Sequence, residues 1–369
     1  MALIEKLGEI PDPRRGNAQR HELLDILAIA LVASVCGAES CVDFAEFAED
    51  RETLVREFLS LKNGLPSHDT FSRVFRLLDP AAFGRAFEAF LDDLTAGGEG
   101  VLAIDGKTLR RSFDRAASRS PLHVVTAFGT GARVAIAQRA VAEGENETLA
   151  ARAMLATLAL DGVLVTGDAM HAQAATAEVI LARGGAYLFQ LKANRPAMLR
   201  EVAAFFAEPP EALPVVETAD ADHGRIETRR HRVTHEVGWL FSDRRYAGEP
   251  RLPGLACIAC VEAERREGDR TATSTRYFLS SAPLSPERLA AAVRGHWAIE
   301  NSLHWVLDVT FDEDRARNRR DNGPENLAIL RRLTLNLLNR TRPKMSVARK
   351  RKRSGWSDAF ARTIIGHMR

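Results

Sequence analysis

The sequence predicts an α/β protein in which a mixed sheet flanked by helices follows an all-helical N-terminal domain and is interrupted by a β-rich insertion. Residues 1–95 place apolar side chains at three-to-four spacing and show no strand pattern. From residue 100, strand patterns joined by short turns precede an alternation of helices and strands, an order typical of a mixed sheet covered by helices. Residues 209–285 interrupt this alternation with proline-rich punctuation and strand-like runs.

The N-terminal domain is predicted to consist of successive helices. Their segments are HELLDILAIALVASVCG, CVDFAEFAED, RETLVREFLSL, SHDTFSRVFRLL and PAAFGRAFEAFLDDL. Asp79-Pro80 separates the last two, and Ser67 or Asp69 is a suitable N-cap for the first of them. A helix-turn-helix that reads DNA has this form, and so does a plain packing unit. The glycine-rich stretch at residues 95–100 then marks the end of the domain.

The core is predicted to comprise residues 100–208 and 286–340. Its first part reads as a strand in VLAIDGKTLRRS, a hairpin of LHVVTAFGT and RVAIAQRAVAE, a helix in NETLAARAMLATLAL, a strand in GVLVTGDAM, a helix in AQAATAEVILARG, a strand in AYLFQLKAN and a helix in PAMLREVAAFFAE. After the insertion, Ser285 and Pro286 are suitable N-cap and first-turn residues for a long helix through RGHWAIENSLHWVLDVTF.

Composition indicates a cytoplasmic protein without a membrane segment. The chain has 369 residues, of which 46% are hydrophobic, enough for a sizeable core. The apolar run at residues 26–37 is too short to cross a bilayer, and the first 15 residues lack a signal pattern. The chain has only four cysteines, which fits a reducing compartment. Cys257 and Cys260 lie in a strand-like run, which favours structural cysteines over half of a zinc site.

Positive charge is concentrated near the C-terminus, although the formal net charge is only +2. Eight of the 14 residues from 340 to 353 are lysine or arginine. We interpret residues 341–369 as a basic C-terminal tail. Phosphate is the natural partner of such a run because each neutralised phosphate releases counterions. A tail that serves only solubility is the alternative.

Three carboxylates lie in apolar surroundings, where a charge is costly without a partner. Asp105 interrupts the apolar strand VLAIDGK, and Asp168 ends the strand VLVTGD. Glu300 lies in the long helix, four residues from both His296 and His304, so these three side chains share one face. Asp105 could instead belong to a turn, Asp168 could cap the next helix, and Glu300 could pair with a neighbouring histidine or arginine.

Three oxygen ligands of this kind suit a hard cation such as Mg²⁺ or Mn²⁺ better than zinc. Two such ions can activate the attacking oxygen and stabilise the leaving oxygen in a phosphodiester displacement. Because basic segments accompany the carboxylates, nucleic acid is the expected phosphodiester.

Several motifs together resemble one protein family. They are LAIDGKTLRRS, VTGDAMHAQ, YLFQLKANRP, HGRIETR and RGHWAIENSLHWVLDVTFDEDRAR, in that order and over essentially the whole chain. The chain resembles bacterial insertion-sequence transposases of the DDE type, in the group of H-repeat-associated proteins. The resemblance implies a ribonuclease-H-like core, with Asp105, Asp168 and Glu300 as catalytic residues and as ligands of two Mg²⁺ or Mn²⁺ ions. It also implies hydrolysis of a phosphodiester at each element end, followed by attack of the freed 3′-hydroxyl on target DNA.

The resemblance is incomplete around the glutamate. Better-studied insertion-sequence transposases have a tyrosine and an arginine before it and a lysine after it, where this chain has Val293, His296 and Leu307. We therefore expect His296, Asn301 and His304 to make DNA contacts in their place. Phosphate contacts are also expected from the basic residues Lys107, Arg110, Lys192 and Arg225.

The expected partners are the terminal inverted repeats of the element and target DNA, bound by a homodimer associated with the nucleoid. The nearest alternative is a nuclease on the same core that cuts DNA without joining it. A DNA-binding remnant of a decayed element is a second alternative, although all three carboxylates are present. A glycosidase also uses paired carboxylates, but it has little need of the basic run.

Overall fold

The computed structural model describes residues 3–95, 100–222, 225–241 and 252–368. The strands are β1 (Val101–Thr108), β2 (His123–Gly129), β3 (Val134–Ala140), β4 (Leu164–Gly167), β5 (Ala186–Leu191), β6 (Val215–Asp222), β7 (Arg225–Thr234), β8 (Cys257–Glu267) and β9 (Arg270–Ser280). The helices are α1 (Leu3–Gly8), α2 (Leu23–Val35), α3 (Cys41–Asp50), α4 (Glu52–Arg56), α5 (His68–Leu77), α6 (Pro80–Thr95), α7 (Glu147–Leu155), α8 (Ala174–Ala182), α9 (Pro196–Ala207), α10 (Pro286–Ile299), α11 (Trp305–Thr310), α12 (Gly323–Arg340), α13 (Val347–Trp356) and α14 (Asp358–Ile365).

All the described strands form one mixed sheet in the order β3-β2-β1-β4-β5-β9-β8-β7-β6. β1 is parallel to β4, which is parallel to β5, whereas β2 and β3 pair antiparallel beside β1. Helices cover both faces, which confirms the prediction of a mixed sheet flanked by helices. Parallel strands bring their carboxyl ends to one edge, and loops that carry function commonly gather there.

Alternate residues of β1 face two different hydrophobic clusters. Leu102 and Ile104 pack in a cluster with side chains of α7, α8 and α9. Ala103 packs in another cluster with side chains of the N-terminal helices and α12. Because successive strand side chains point to opposite faces, Asp105 lies on the face of Ala103, and Gly106 faces α7.

The strands of the predicted β-rich insertion extend the sheet beyond β5. β5 pairs with β9 only through Leu188–Leu191 and residues 277–280. Residues 270–276 of β9 therefore continue past the carboxyl end of β5 by about 23 Å, at 3.3 Å per residue. The arm formed by β6–β9 thus projects from the carboxyl edge of the parallel strands. Strand β6 was not predicted from the sequence, and its segment VVETADAD has polar residues at half of its positions.

The N-terminal residues 3–95 form helices α1–α6. α2 is buried on all sides, with twelve of its thirteen residues in the core. This explains the apolar run at residues 26–37: a helix that is apolar all round lies in a protein interior. In the described part of the chain, no helix has the length and apolarity that crossing a membrane requires.

Residues 341–369 were expected to form a basic tail, but they fold into the helices α13 and α14. Lys350 and Arg351 in α13 are buried. Lys350 Nζ donates to the carbonyl oxygen of Leu338 at 2.6 Å. The guanidinium of Arg351 donates to carbonyl oxygens of Ser34, Ala38 and Thr310. The two cations therefore satisfy buried carbonyl groups, and the other six basic residues from 340 to 353 are exposed.

Replacement of Arg351 by alanine should destabilise the fold. The variant loses several hydrogen bonds from a charged donor, each worth roughly 1.5–3 kcal/mol, and leaves carbonyl oxygens without a partner. We expect a loss of more than about 2 kcal/mol in the free energy of unfolding, measured by urea denaturation. Arg349→Ala, at an exposed position on the same helix, is the matched control and should change stability by less than about 0.5 kcal/mol. Equal stability of the two variants would contradict the structural role of Arg351.

Candidate active site

Asp105 lies in the middle of β1, at the face covered by α10. Its register partner on β2 is Thr126. β1 and β4 pair in parallel up to Ala103 and Thr166. Two residues further along, Asp105 and Asp168 occupy equivalent positions at the carboxyl edge of neighbouring strands. The side chain of Asp105 is 25% exposed, so it is accessible from the edge of the sheet.

Glu300 lies where the long helix changes its winding. Ser285 caps α10 by accepting a hydrogen bond from the backbone N–H of Arg288, and Pro286 occupies the first turn, which confirms the prediction for this helix start. Glu300–His304 then form a single π-helical turn between α10 and α11. Such turns are rare and occur frequently at functional sites. Because the turn is wider than that of an α-helix, it changes how Glu300 and His304 face the sheet.

The π-helical turn brings Glu300 and His304 onto Asp105. His304 Nδ1 lies 3.5 Å from Asp105 Oδ2 and 3.5 Å from Glu300 Oε2. The possible ligand atoms of these three residues all lie within 4.8 Å of one another, as a bound metal ion would require. Glu300 is half-exposed, whereas the His304 ring is buried. His304, which the sequence suggested as a DNA contact, thus lies between the two carboxylates and belongs to the possible ligand set.

The two carboxylates titrate as a pair. Burial, and then the hydrogen bond and negative charge of Glu300, raises the pKa of Asp105 to about 8. The hydrogen bond with His304 outweighs burial and lowers the pKa of Glu300 to about 2. The two carboxylates are thus close enough for the charge of one to oppose ionisation of the other. A cation would neutralise the same charge, and two carboxylates with an imidazole suit a divalent ion of the Mg²⁺ and Mn²⁺ type.

Asp168 lies beside this cluster and is not one of its three members. Its carboxylate accepts a hydrogen bond from the backbone N–H of Met170 at 2.9 Å and so caps the short 3₁₀ turn after β4. His296 bridges the elements: its Nδ1 lies 3.0 Å from the hydroxyl of Thr166 on β4. Burial lowers the pKa of His296, and the negative charges of Asp168 and Glu300 oppose this shift. The side chain of His296 therefore lies near enough to Asp168 and Glu300 to feel both charges.

Lys107 is engaged with carboxylates of the core. Its Nζ lies 2.6 Å from Asp308 Oδ1 and 3.5 Å from Asp314 Oδ1, and its side chain is 10% exposed. It thus joins β1 to α11 and to the following loop. Lys107 therefore connects these elements behind the site through ion pairs, and its ammonium group is not free for a phosphate contact.

The remaining candidates for DNA contact are exposed. Arg110 follows β1 with a side chain 81% exposed, and its Nε lies 3.4 Å from Asp314 Oδ2. Lys192 directly follows β5, and its charge reaches His296. Asn301 lies on the exposed side of the π-helical turn, next to Glu300. Arg225 is at the tip of the arm, paired in register with Glu267.

An arginine cleft at the same edge was not anticipated from the sequence. Arg317, Arg319, Arg320 and Arg76 line a cavity of about 370 Å³ between α5 and the loop before α12. The guanidinium groups of Arg115 and Arg319 lie over the ring of Phe113, 5.4 and 4.5 Å from its centroid. The run RARNRR at residues 315–320 supplies three of the arginines that line the cavity.

Comparison with known proteins identifies the family. Residues 96–337 match the model of the transposase DDE domain, and residues 4–91 match the model of the domain described as DDE_Tnp_1-associated. The chain therefore belongs to the family of DDE-domain transposases. This membership confirms the resemblance drawn from the sequence motifs, and it implies DNA as a partner and the use of a divalent metal ion.

Several proteins are similar to this chain over most of its length, and two of them are named as putative transposases. The "H repeat-associated putative transposase YhhI" of Escherichia coli K12 is 32% identical, over 98% of this chain and 97% of its own. The "Putative transposase YncI" of E. coli O157:H7 is 32% identical, over 99% of this chain and 94% of its own. An "Uncharacterized protein in dhlA 3'region" of Xanthobacter autotrophicus is 39% identical, over 75% of this chain and 93% of its own.

Proposed function

We propose that the protein is the transposase of an insertion sequence, which binds the element ends, hydrolyses a phosphodiester at each end and joins the freed 3′-hydroxyl to target DNA. The observation that carries the proposal is the convergence of Asp105, Glu300 and His304 where the parallel pairing of β1 with β4 ends, beside Asp168. In a member of the DDE transposase family, carboxylates that converge in this way support metal-dependent chemistry.

We propose Asp105, Asp168 and Glu300 as the catalytic carboxylates. The proposed cofactor is a pair of Mg²⁺ or Mn²⁺ ions. Bound ions of this kind supply an activated attacking oxygen and stabilise the leaving oxygen. The side chains of the protein hold the ligand geometry: β1 fixes Asp105, the 3₁₀ turn orients Asp168, and the π-helical turn directs Glu300 towards both. His304 adds a fourth donor to this set.

The proposed core is ribonuclease-H-like. Its supporting feature is the order β3-β2-β1-β4-β5, in which three antiparallel strands are followed by two parallel strands. We divide the chain into an N-terminal domain at residues 1–95, the core at 100–208 and 286–340, the insertion at 209–285 and a C-terminal segment at 341–369. A homodimer on DNA would hold both element ends together.

DNA is proposed to run along the carboxyl edge of the parallel strands. The arm projects from this edge and carries Arg225 at its tip, while Lys192 and Asn301 lie beside the carboxylates. The arginine cleft lies at the same edge but away from the arm, among the loops that follow β1 and α11. Positive charge thus flanks the acidic cluster on both sides, as backbone contacts with a duplex require.

Strand cleavage and joining can be tested with the DNA that flanks this gene. We expect Mn²⁺-dependent nicking of a supercoiled plasmid that carries those flanks, and joined products when pre-cut ends with a free 3′-hydroxyl are supplied. Cleavage without joined products would identify a nuclease. Absence of both activities, with DNA bound, would identify a silent remnant.

Removal of a cleft arginine should weaken DNA binding in a manner that depends on salt. Arg317→Ala and Arg320→Ala should each lower the slope of log affinity against log salt by about one, because each loses one phosphate contact. Arg183→Ala is the control, since Arg183 follows α8 at the opposite edge of the sheet, where its Nε donates to the carbonyl oxygen of Leu158. Unchanged slopes in both cleft variants would exclude this surface from the DNA path.

A further inference from the structure

A largely buried acidic group, Glu147, lies near the site but is not among the proposed catalytic carboxylates. Glu147 lies in the first turn of α7, on the face of the sheet opposite Asp105, and its side chain is 13% exposed. His123 Nε2 lies 2.7 Å from Glu147 Oε2, and His171 Nε2 lies 3.3 Å from Glu147 Oε1. The His171 side chain is 1% exposed. One carboxylate therefore faces two imidazole rings inside the protein.

The carboxylate of Glu147 packs directly against the strand that carries Asp105. A Cβ atom added to Gly106 would lie 2.3 Å from Glu147 Oε2 and 2.6 Å from His123 Nε2. Both distances are far below any carbon contact, so only glycine at position 106 leaves room for this carboxylate. The residue after Asp105 and the position of Glu147 are thus coupled by sterics.

The partners of Glu147 come from both strands that flank β1. His123 begins β2, and its Nδ1 lies 2.8 Å from the hydroxyl of Thr108 on β1. His171 belongs to the short turn after β4, three residues beyond Asp168. Glu147 consequently contacts one residue from each of the two strands that flank β1, and it also packs against the backbone of β1 itself. Any shift of Asp105 relative to Asp168 would strain these contacts.

The cluster is electrostatically consistent with this arrangement. Burial alone would raise the pKa of Glu147, but His123 and His171 outweigh it and lower the pKa to about 2. Glu147 is therefore an anion at neutral pH. It accepts a hydrogen bond from His123 at 2.7 Å, which an ionised acceptor makes stronger than a neutral one, and its other oxygen lies 3.3 Å from the His171 ring.

We propose that Glu147, acting through His123 and His171, is a positioning residue that sets the distance between Asp105 and Asp168 for the divalent ion. The inference rests on the proposed function, and Glu147 touches neither DNA nor the reacting phosphate in this role. Groups that orient the ligands of a metal typically contribute 10–100-fold to metal affinity or activity. We expect that contribution here because two ligand-bearing strands depend on one carboxylate.

The test is Glu147→Gln, which keeps the size of the side chain and removes its charge. The affinity for Mn²⁺, followed by the electron paramagnetic resonance signal of the free ion, should fall about 10-fold, and the cleavage rate at saturating DNA should fall about 10–100-fold. DNA affinity without metal should stay at the wild-type value. Glu145→Gln is the matched control, because Glu145 pairs with Arg139 at 3.2 Å outside this cluster, and it should bind Mn²⁺ like the wild type.

Gly106→Ala provides a second variant in which Glu147 itself is unchanged. Its new Cβ displaces the carboxylate, so Mn²⁺ affinity should fall as in Glu147→Gln. If Gly106→Ala fails to fold, Glu147→Gln decides alone. Wild-type Mn²⁺ affinity and cleavage in Glu147→Gln would overturn the inference while the proposed function stands, provided that Glu300→Gln is inactive. A wild-type protein without metal-dependent cleavage would overturn both.

Discussion

Glu300→Gln should abolish strand cleavage while binding to the element ends remains largely intact. The substitution removes the charge of a proposed ligand from a cluster whose three possible ligand atoms lie within 4.8 Å of one another. We expect the cleavage rate to fall by more than about 100-fold, above the loss typical for a group that only orients a ligand. DNA affinity should persist because the arginine cleft and the arm lie to either side of Glu300. Single-turnover cleavage and a mobility-shift titration measure the two quantities.

Glu287→Gln is the matched control for this experiment. It makes the same chemical change on the same helix, in the exposed first turn of α10. This variant should cleave at the wild-type rate. Cleavage by Glu300→Gln at that same rate would refute the catalytic assignment, and a parallel loss of DNA binding would point to a structural role for Glu300.

Glu313→Gln should cause the largest loss of stability among single charge removals. Glu313 is fully buried, 3.1 Å from the equally buried Arg332 and 3.8 Å from Arg331. Removal of its charge leaves two guanidinium groups inside the protein without their acidic partner. Breaking a buried ion pair in this way costs about 3–5 kcal/mol. The free energy of unfolding from urea denaturation measures the effect.

The order of two variants tests this assignment. Arg332→Met should cost less than Glu313→Gln, because Glu313 keeps Arg331 as a partner. Glu267→Gln, in a pair at the exposed tip of the arm, should stay within about 0.5 kcal/mol of the wild type. An equal or larger loss in Arg332→Met would show that Glu313 is not the centre of the cluster.

The parts of the site that the sequence predicted are those in which a polar residue breaks an apolar pattern. Asp105 within VLAIDGK and Glu300 within an aromatic helix are conspicuous, because burial of a charge requires a reason. The core strands were predictable for a related cause: short apolar runs between turns leave few alternatives.

Other features carry no such contrast. The segment of β6 has only two large apolar residues, Val215 and Val216, and charged residues at three of its remaining positions, so it does not stand out as a strand. A π-helical turn has the composition of an α-helix, so the contact of His304 with Asp105 could not be read from spacing. Glu147 follows the N-cap Asn146 and looks like an ordinary acidic residue at a helix start. Its one signal was the glycine after Asp105, which also suited a turn.

The continuous sheet has a mechanical consequence for the arm. β9 is hydrogen-bonded to β5 along Leu188–Leu191, so the arm and the strands that carry the carboxylates share one backbone network. A domain on a flexible linker can swing towards a duplex, whereas a strand within a sheet moves only with its neighbours. A load applied at the tip of the arm would therefore be transmitted as twist to the carboxylate edge. Bending of DNA held by the arm would thus change the alignment of Asp105.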